Sequence, residues 1–310
     1  MRFGLRVVIG LVAMLGVCAC ATLPSVGATG EADCDEVCLN QMAGHYMDSL
    51  AAQYVESAPL ADDIRMTENG EDIRPGEGIW SSATSWSYRH TFVDPQQNSV
   101  GIFGVIREEN GKDAIVAFRL KQADGAFIES EGLVIHEGDF PLFQTDHKRA
   151  RDGFYRYVPE AKRSSRAELK AIAHDYFEGL SKGDPGALKF HPDCDRQENG
   201  FRTTNNPPRI KFSCRDLYPF SYMASFRSPD YPVVDVERGL VLGITAFDMP
   251  EATRDVTIRG QTFSINPERQ RLPRTLFLYE LFKVEDRQIM MIDAVLMNFE
   301  YGAKMGWNER

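Results

Sequence analysis

The sequence predicts an α+β chain in which one small unit, a helix followed by an antiparallel sheet, occurs twice in tandem. Three observations predict it. The chain matches itself at a shift of 130 residues: Leu39, Ala43, Tyr46, Leu50, Asp63 and Glu68-Asn69-Gly70 fall on Leu169, Ala173, Tyr176, Leu180, Asp193 and Glu198-Asn199-Gly200, eight identities in 32 ungapped positions, where ordinary residue frequencies give roughly two. Each copy opens with an apolar stripe at helical spacing. Each continues in runs of β-branched and aromatic residues divided by turn dipeptides. A repeat this long is a domain rather than a solenoid unit, and 310 residues allow two domains, each with its own core.

Residues 1–20 read as a targeting segment outside the fold. Arg2 and Arg6 flank the start of an apolar run, Val7 to Val17, whose 11 residues are too few to span a bilayer but suit a signal peptide. Val17-Cys18-Ala19-Cys20 resembles a bacterial lipoprotein signal, in which a small residue precedes the cysteine that is lipidated, here Cys20. Cleavage after Ala19 or Ala21 without lipid is the other reading. Both send the chain out of the cytoplasm, and the lipid reading places it in the periplasm or outer membrane, touching the membrane through its N-terminal anchor only. Residues 21–33, small and turn-rich, read as a flexible tether.

The first copy spans 34–136. Leu39, Ala43, Tyr46 and Leu50 mark its helix. A turn at Ser57-Ala58-Pro59 leads to a short strand, Ile64 to Thr67, which stops at the Asn69-Gly70 turn. After Pro75-Gly76-Glu77-Gly78 come strands at Tyr88 to Val93, Val100 to Glu108, Ala114 to Gln122 and Phe127 to His136. Asp94-Pro95, Asn110-Gly111 and Asp124-Gly125 separate them. Residues 137–164 join the copies, and their aromatics (Phe140, Phe143, Phe154, Tyr155, Tyr157) are expected to seek cover. The second copy, 165–310, opens with a helix from Ser165, a candidate cap, to Ser181. Gly183-Asp184-Pro185-Gly186 stops it. Strands follow at Leu240 to Phe247, Thr275 to Val284 and Gln288 to Asn298, with extra residues near 205–215 and 250–273.

Net charge is −10, with Lys and Arg scattered. That argues against a nucleic-acid partner and against binding to anionic lipid surfaces. Setting aside Cys18 and Cys20, four cysteines remain, and in an exported chain they read as two disulfides. Cys34–Cys38 and Cys194–Cys214 are the expected pairs, with a cross-copy pairing left open. No His-Glu-x-x-His or Cys/His cluster predicts a metal. No Gly-x-Ser-x-Gly elbow, phosphate-binding loop or Rossmann fingerprint predicts a serine hydrolase or a nucleotide cofactor. No cofactor is expected.

The helix tyrosine, the Gly183-Asp184 turn and the Glu-Asn-Gly turn that ends the short strand resemble the opening of the nuclear transport factor two-like superfamily, which includes ketosteroid isomerase, scytalone dehydratase and polyketide cyclases. Cys34-Asp35-Glu36-Val37-Cys38-Leu39 and Gly76-Glu77-Gly78-Ile79-Trp80 are also similar to an uncharacterised group of secreted bacterial and fungal proteins. The resemblance implies two tandem cones, each a curved antiparallel sheet wrapped around N-terminal helices, with an apolar pocket at the open end. It implies that Tyr46 and Tyr176 match a catalytic hydrogen-bond donor. The family's proton-accepting position falls on Asn69 and Asn199, which cannot take a proton. Glu68 and Glu198, one residue earlier, are expected on the opposite strand face.

The catalytic candidates are therefore Tyr46 and Tyr176, with His90 as a strand-borne base and His191 as an acid/base partner of nearby aspartates. The ligand-binding candidates are Asn69, Asn199, Glu198, Arg202 and Tyr222. The plain alternatives are a core phenol for each tyrosine, a turn former for each asparagine and a strand-surface residue for His90. The function implied is an exported protein with a small-molecule pocket, working as a cofactor-free lyase, dehydratase or isomerase on a small apolar, phenolic or sugar-derived substrate. The alternative is a non-catalytic ligand- or partner-binding envelope lipoprotein. Oligomeric state is not legible in the sequence.

Overall fold

The computed structural model describes Met1 and residues 34–146, 151–208, 210–220, 223, 225–251, 254–258, 261–265, 272–304 and 307. The signal and tether segments, with Cys20, lie outside the described residues, as does Tyr222.

Helix α1 (Glu36–Ala51) starts where Asp35 accepts a hydrogen bond from the Cys38 amide at 2.9 Å. The Cys34–Cys38 disulfide spans this cap. Strands β1 (Leu60–Glu68), β2 (Glu71–Ile73), β3 (Ala83–Asp94), β4 (Ser99–Glu108), β5 (Asp113–Ala123) and β6 (Ala126–Ile135) follow. They form one sheet in the order β2-β1-β6-β5-β4-β3. The joining segment carries a single helical turn, α2 (Asp152–Tyr155). Helix α3 (Arg166–Lys182) opens with a capping box between Ser165 and Glu168 and ends at Gly183 in the left-handed conformation, φ 67°. Strands β7 (Lys189–Glu198), β8 (Phe201–Arg202), β9 (Ser225–Asp235) and β10 (Leu240–Met249) come next. A hairpin, β11 (Arg254–Ile258) with β12 (Gln261–Ile265), stands apart. Strands β13 (Arg274–Glu285) and β14 (Gln288–Phe299) complete the second sheet, β8-β7-β14-β13-β10-β9.

The two sheets repeat one topology. In each, the last strand also pairs in parallel with the first long strand, β6 with β1 and β14 with β7. The short strand expected at Ile64 to Thr67 therefore reaches back to Leu60, across a register shift between Leu60 and Arg65. His191-Pro192-Asp193 lies in the equivalent irregular stretch of β7. Strand β9 is absent from the sequence reading, because Pro229 and Pro232 signal against a strand. Two register shifts in its pairing with β10 accommodate that segment.

Each helix fills the concave side of its own sheet. Leu39, Ala43, Tyr46 and Leu50 are fully buried in one core, and Leu169, Ala173, Tyr176 and Leu180 are buried in the other. The outer faces of the two sheets pack on each other through a third apolar layer that includes Phe103, Val105, Leu242, Ile244, Tyr279 and Leu281. Central strands such as β4 are therefore buried on both faces, which is why they read as continuous apolar runs rather than alternating ones. Buried Asp94 clasps the halves, accepting two 2.6 Å hydrogen bonds from Arg166 and one from the Val234 amide. Those bonds hold its pKa down despite burial. The joining segment is tied in as well. Phe154 is fully buried and Phe140 and Phe143 pack against the cores, while Tyr155 and Tyr157 stay exposed.

Candidate functional site

Asn69 and Asn199 do the same work in both halves. Each sits at positive φ (51° and 45°). Each uses its side-chain amide as a surrogate strand residue, bonding both N–H and C=O of Val134 in one case and of Leu296 in the other, at 2.8–2.9 Å. Both amides are occupied by backbone, and neither lines a cavity described below.

The interiors differ. In the first cone Tyr46 is fully buried and its hydroxyl meets Ser130 at 3.0 Å. Trp80, Phe118 and Phe127 pack edge-on around its ring at 5.3, 5.9 and 5.8 Å. Burial pushes the phenol pKa up to about 12. Glu68 is turned onto the backbone that delivers Trp80, accepting from the Ile79 amide at 2.8 Å. Gly78, at φ 63°, makes room for that carboxylate, since a Cβ there would stand 2.7 Å from Glu68 Cδ. The aromatic rings plug the cone.

In the second cone Tyr176 opens onto a cavity of about 40 Å³, lined also by Arg196, Glu198, Glu280, Asn298, Arg274 and apolar side chains that include Leu278, Phe140, Phe220 and Met223. Arg196 donates to the Tyr176 hydroxyl at 3.0 Å and pairs with Glu198 at 2.8 Å. Thr203 Oγ1 bonds the same Glu198 oxygen at 3.2 Å. The Arg196 guanidinium also lies over the Phe220 ring, 4.5 Å from its centre. Burial opposes its charge, yet Tyr176 and Glu198 around it raise its pKa. Burial raises the Tyr176 pKa too. Glu280 is 3 % exposed. Burial pushes its pKa up to about 8, against the pull of Arg196 and with the push of Glu198. Three buried polar atoms of this lining, Glu280 Oε2, Asn298 Oδ1 and Arg274 Nε, have no hydrogen-bond partner among the described residues. Unpaired buried polar groups are costly and infrequent in folded proteins.

Register shows how the two interiors diverged. Met66 pairs with Ser130 and Glu68 with Gly132, as Arg196 pairs with Ile292 and Glu198 with Ala294. Gly132 in turn faces Phe118 as Ala294 faces Glu280. Met66 and Phe118 thus hold the places of Arg196 and Glu280. Gly132 accepts the Phe118 ring, where a Cβ would stand 2.9 Å from Cε1.

The other sequence candidates fall elsewhere. His90 is 2 % exposed on β3 and points between the sheets, not into the first cone. This corrects the strand-surface alternative, because Phe154 and Tyr155 of the joining segment cover that face. His191 stays half-exposed, with Nδ1 3.9 Å from Asp193 and no place in the cavity lining. Arg202 bonds the Thr204 carbonyl at 3.1 Å and stands 3.8 Å from Asp195, outside the cavity lining. Arg196 and Glu280 were not among the candidates. The Cys194–Cys214 disulfide joins the strand that carries Arg196 to the loop leading to Phe220. Among the described residues no helix is long and apolar enough to cross a membrane.

A family model described as a domain of unknown function (DUF8021) matches residues 162–296. No curated protein matches the chain. Among solved structures, an NTF2-like protein of unknown function from Cytophaga hutchinsonii is similar at 12 % identity and TM-score 0.27, covering 31 % of this chain and 89 % of its own. A putative ketosteroid isomerase from Kribbella flavida is similar at 16 % identity and TM-score 0.27, covering 39 % and 90 %. A de novo designed protein with a curved β-sheet is similar at 11 % identity and TM-score 0.24, covering 43 % and 88 %.

Proposed function

We propose that the second cone binds a small, mainly apolar molecule bearing one carbonyl or hydroxyl oxygen and moves a proton on it, as a cofactor-free isomerase, dehydratase or lyase would. The observation that carries this reading is the meeting of Tyr176, Arg196, Glu198 and Glu280 around one apolar cavity. With Arg196 donating to its oxygen, the Tyr176 hydroxyl keeps its own proton to give. Glu280, with a pKa near 8, is mostly protonated at neutral pH and is a second donor. Two donors in a dry pocket stabilise charge developing on a substrate oxygen. Glu198 is the carboxylate that takes the proton from carbon. A volume of about 40 Å³ holds a few waters, so the substrate is small, or Phe220 and Met223 move to admit it.

The test is deuterium incorporation from D₂O next to the carbonyl of small ketones, followed by NMR. The wild type is expected to catalyse exchange. Tyr176→Phe and Glu280→Leu are expected to slow it about 10²–10³-fold each, the loss seen for a deleted oxyanion donor. Exchange equal to buffer defeats the catalytic reading. Saturable ketone binding without exchange would favour the non-catalytic one, a ligand-binding envelope protein. We also propose export, which the two disulfides support, and lipidation at Cys20. Palmitate labelling that persists in Cys20→Ala would exclude lipid at that residue.

A further inference from the structure

Another cavity, of about 190 Å³, lies between the two halves, bounded by α1, β3, α2 and the turn from β9 to β10. It shares no lining residue with the Tyr176 cavity. One wall is aromatic, and Glu36, Asn40, Thr91, Asp235 and Arg238 supply a polar one. The His90 ring stands 5.3 Å from Phe92, 5.5 Å from Phe154 and 5.1 Å from Tyr155, centre to centre. His90 lines the cavity, is 2 % exposed, and its Nδ1 has no hydrogen-bond partner among the described residues. The ring that lines the cavity therefore has hydrogen-bonding capacity that no described residue uses.

Size and charge narrow the ligand. An apolar cavity of roughly 150 Å³ takes up benzene, so about 190 Å³ accommodates one ring with a substituent. Among the described residues the rim holds no free charge for an ionic ligand. Arg238 is already paired with Asp235 at 2.9 Å and Glu36 at 2.8 Å, and it also donates to the Tyr157 hydroxyl at 2.6 Å. Burial, together with the nearby Arg151 and Arg238, pulls the His90 pKa down to about 3, so the imidazole is neutral at ordinary pH.

We propose that this seam cavity is a binding site for an uncharged single-ring molecule with one hydroxyl, of the phenol class, its ring among Phe92, Phe154 and Tyr155 and its hydroxyl on the His90 imidazole. A ligand there touches α1 and β3 of the first half and the β9–β10 turn of the second at once, and so ties the two halves together. The site is independent of any chemistry in the second cone.

The test is a titration of the mature protein with 4-fluorophenol, read by ¹⁹F NMR of the ligand and ¹H–¹⁵N NMR of the histidine rings. The wild type is expected to show saturable binding that shifts the His90 ring signals. His90→Phe is expected to weaken binding about tenfold or more, through the lost partner and the lost volume. Leu278→Phe, which crowds the other cavity, is expected to leave affinity within about twofold. Toluene should compete about three- to tenfold less well than phenol, the worth of one neutral hydrogen bond. Absence of saturable binding to the wild type overturns the proposal, as does binding that leaves the His90 ring signals in place. Loss of binding in Leu278→Phe would put the ligand in the Tyr176 cavity and also overturn it. The His90 shift is read on the wild type, so the test stands even if His90→Phe fails to fold.

Discussion

The first and second cones share a helix, a sheet order, a buried tyrosine and an asparagine that stitches the first strand to the last, yet the second surrounds its tyrosine with a buried arginine and carboxylates where the first surrounds its own with aromatic rings. Met66 and Phe118 stand where Arg196 and Glu280 stand. Glu68 and Glu198 occupy the same register position, but one pins the backbone before Trp80 and the other pairs with a guanidinium. The difference teaches that this scaffold is held by its helix stripe and its asparagine bridge, and that the interior beyond them is free to become solid packing or a charged cavity. A single carboxylate position holds backbone in one copy and pairs with a buried guanidinium in the other.

Four experiments break or sharpen the contrast. Trp80→Ala should cost the most, about 3–5 kcal/mol, since it empties a packed aromatic core. Phe220→Ala, over the cavity, should cost less than half of that. Urea denaturation of both variants measures it, and equal costs would mean the second cone is as solid as the first. Disulfides come next. Cys194 and Cys214 are 20 residues apart and Cys34 and Cys38 only four, so loop-closure entropy predicts a loss of about 3 kcal/mol for the Cys194→Ser/Cys214→Ser pair against about 2 for the other. Equal losses would show that closing the longer loop adds nothing to the second half.

Glu280→Gln should change the pH dependence of stability. The carboxyl ionises near 4.5 when unfolded and near 8 when folded. Between those values the folded state binds more protons, so stability falls as pH rises, by up to about 1.4 kcal/mol per unit. The variant should lose that slope, and thermal melts at pH 5, 6, 7 and 8 would show it. The smallest difference expected is between Asn69→Ala and Asn199→Ala. Each removes the same two backbone hydrogen bonds, and their costs should agree within about 0.5 kcal/mol. A wide disagreement would mean the bridge matters in one copy only.

The shared parts were legible because they follow local rules. The stripes of α1 and α3, the Asn-Gly turns, the cap at Ser165 and the stop at Gly183 can all be read from spacing and turn chemistry, while the cysteine pairs are expected with a cross-copy alternative open. The divergent parts were not. Arg196 sits in Cys194-Asp195-Arg196-Gln197-Glu198, which reads as a polar loop until its pairing with β14 is known. Strand β9 hid behind its prolines. His90 reads as facing either the first cone or solvent, because nothing local announces that Phe154 and Tyr155 cover that face of β3. One signal was available: Glu280 lies inside Leu276-Phe277-Leu278-Tyr279-Glu280-Leu281-Phe282, and a lone carboxylate in a fully apolar strand is seldom accidental.

The most direct measurement is a ¹³C NMR titration of the Glu280 carboxyl in the folded protein. A midpoint near pH 8, absent from Glu280→Gln, is the result a dry, charged second cone requires. A midpoint near 4.5, the value of a solvated glutamate, would mean that water fills that interior and that the contrast between the two copies is not chemical.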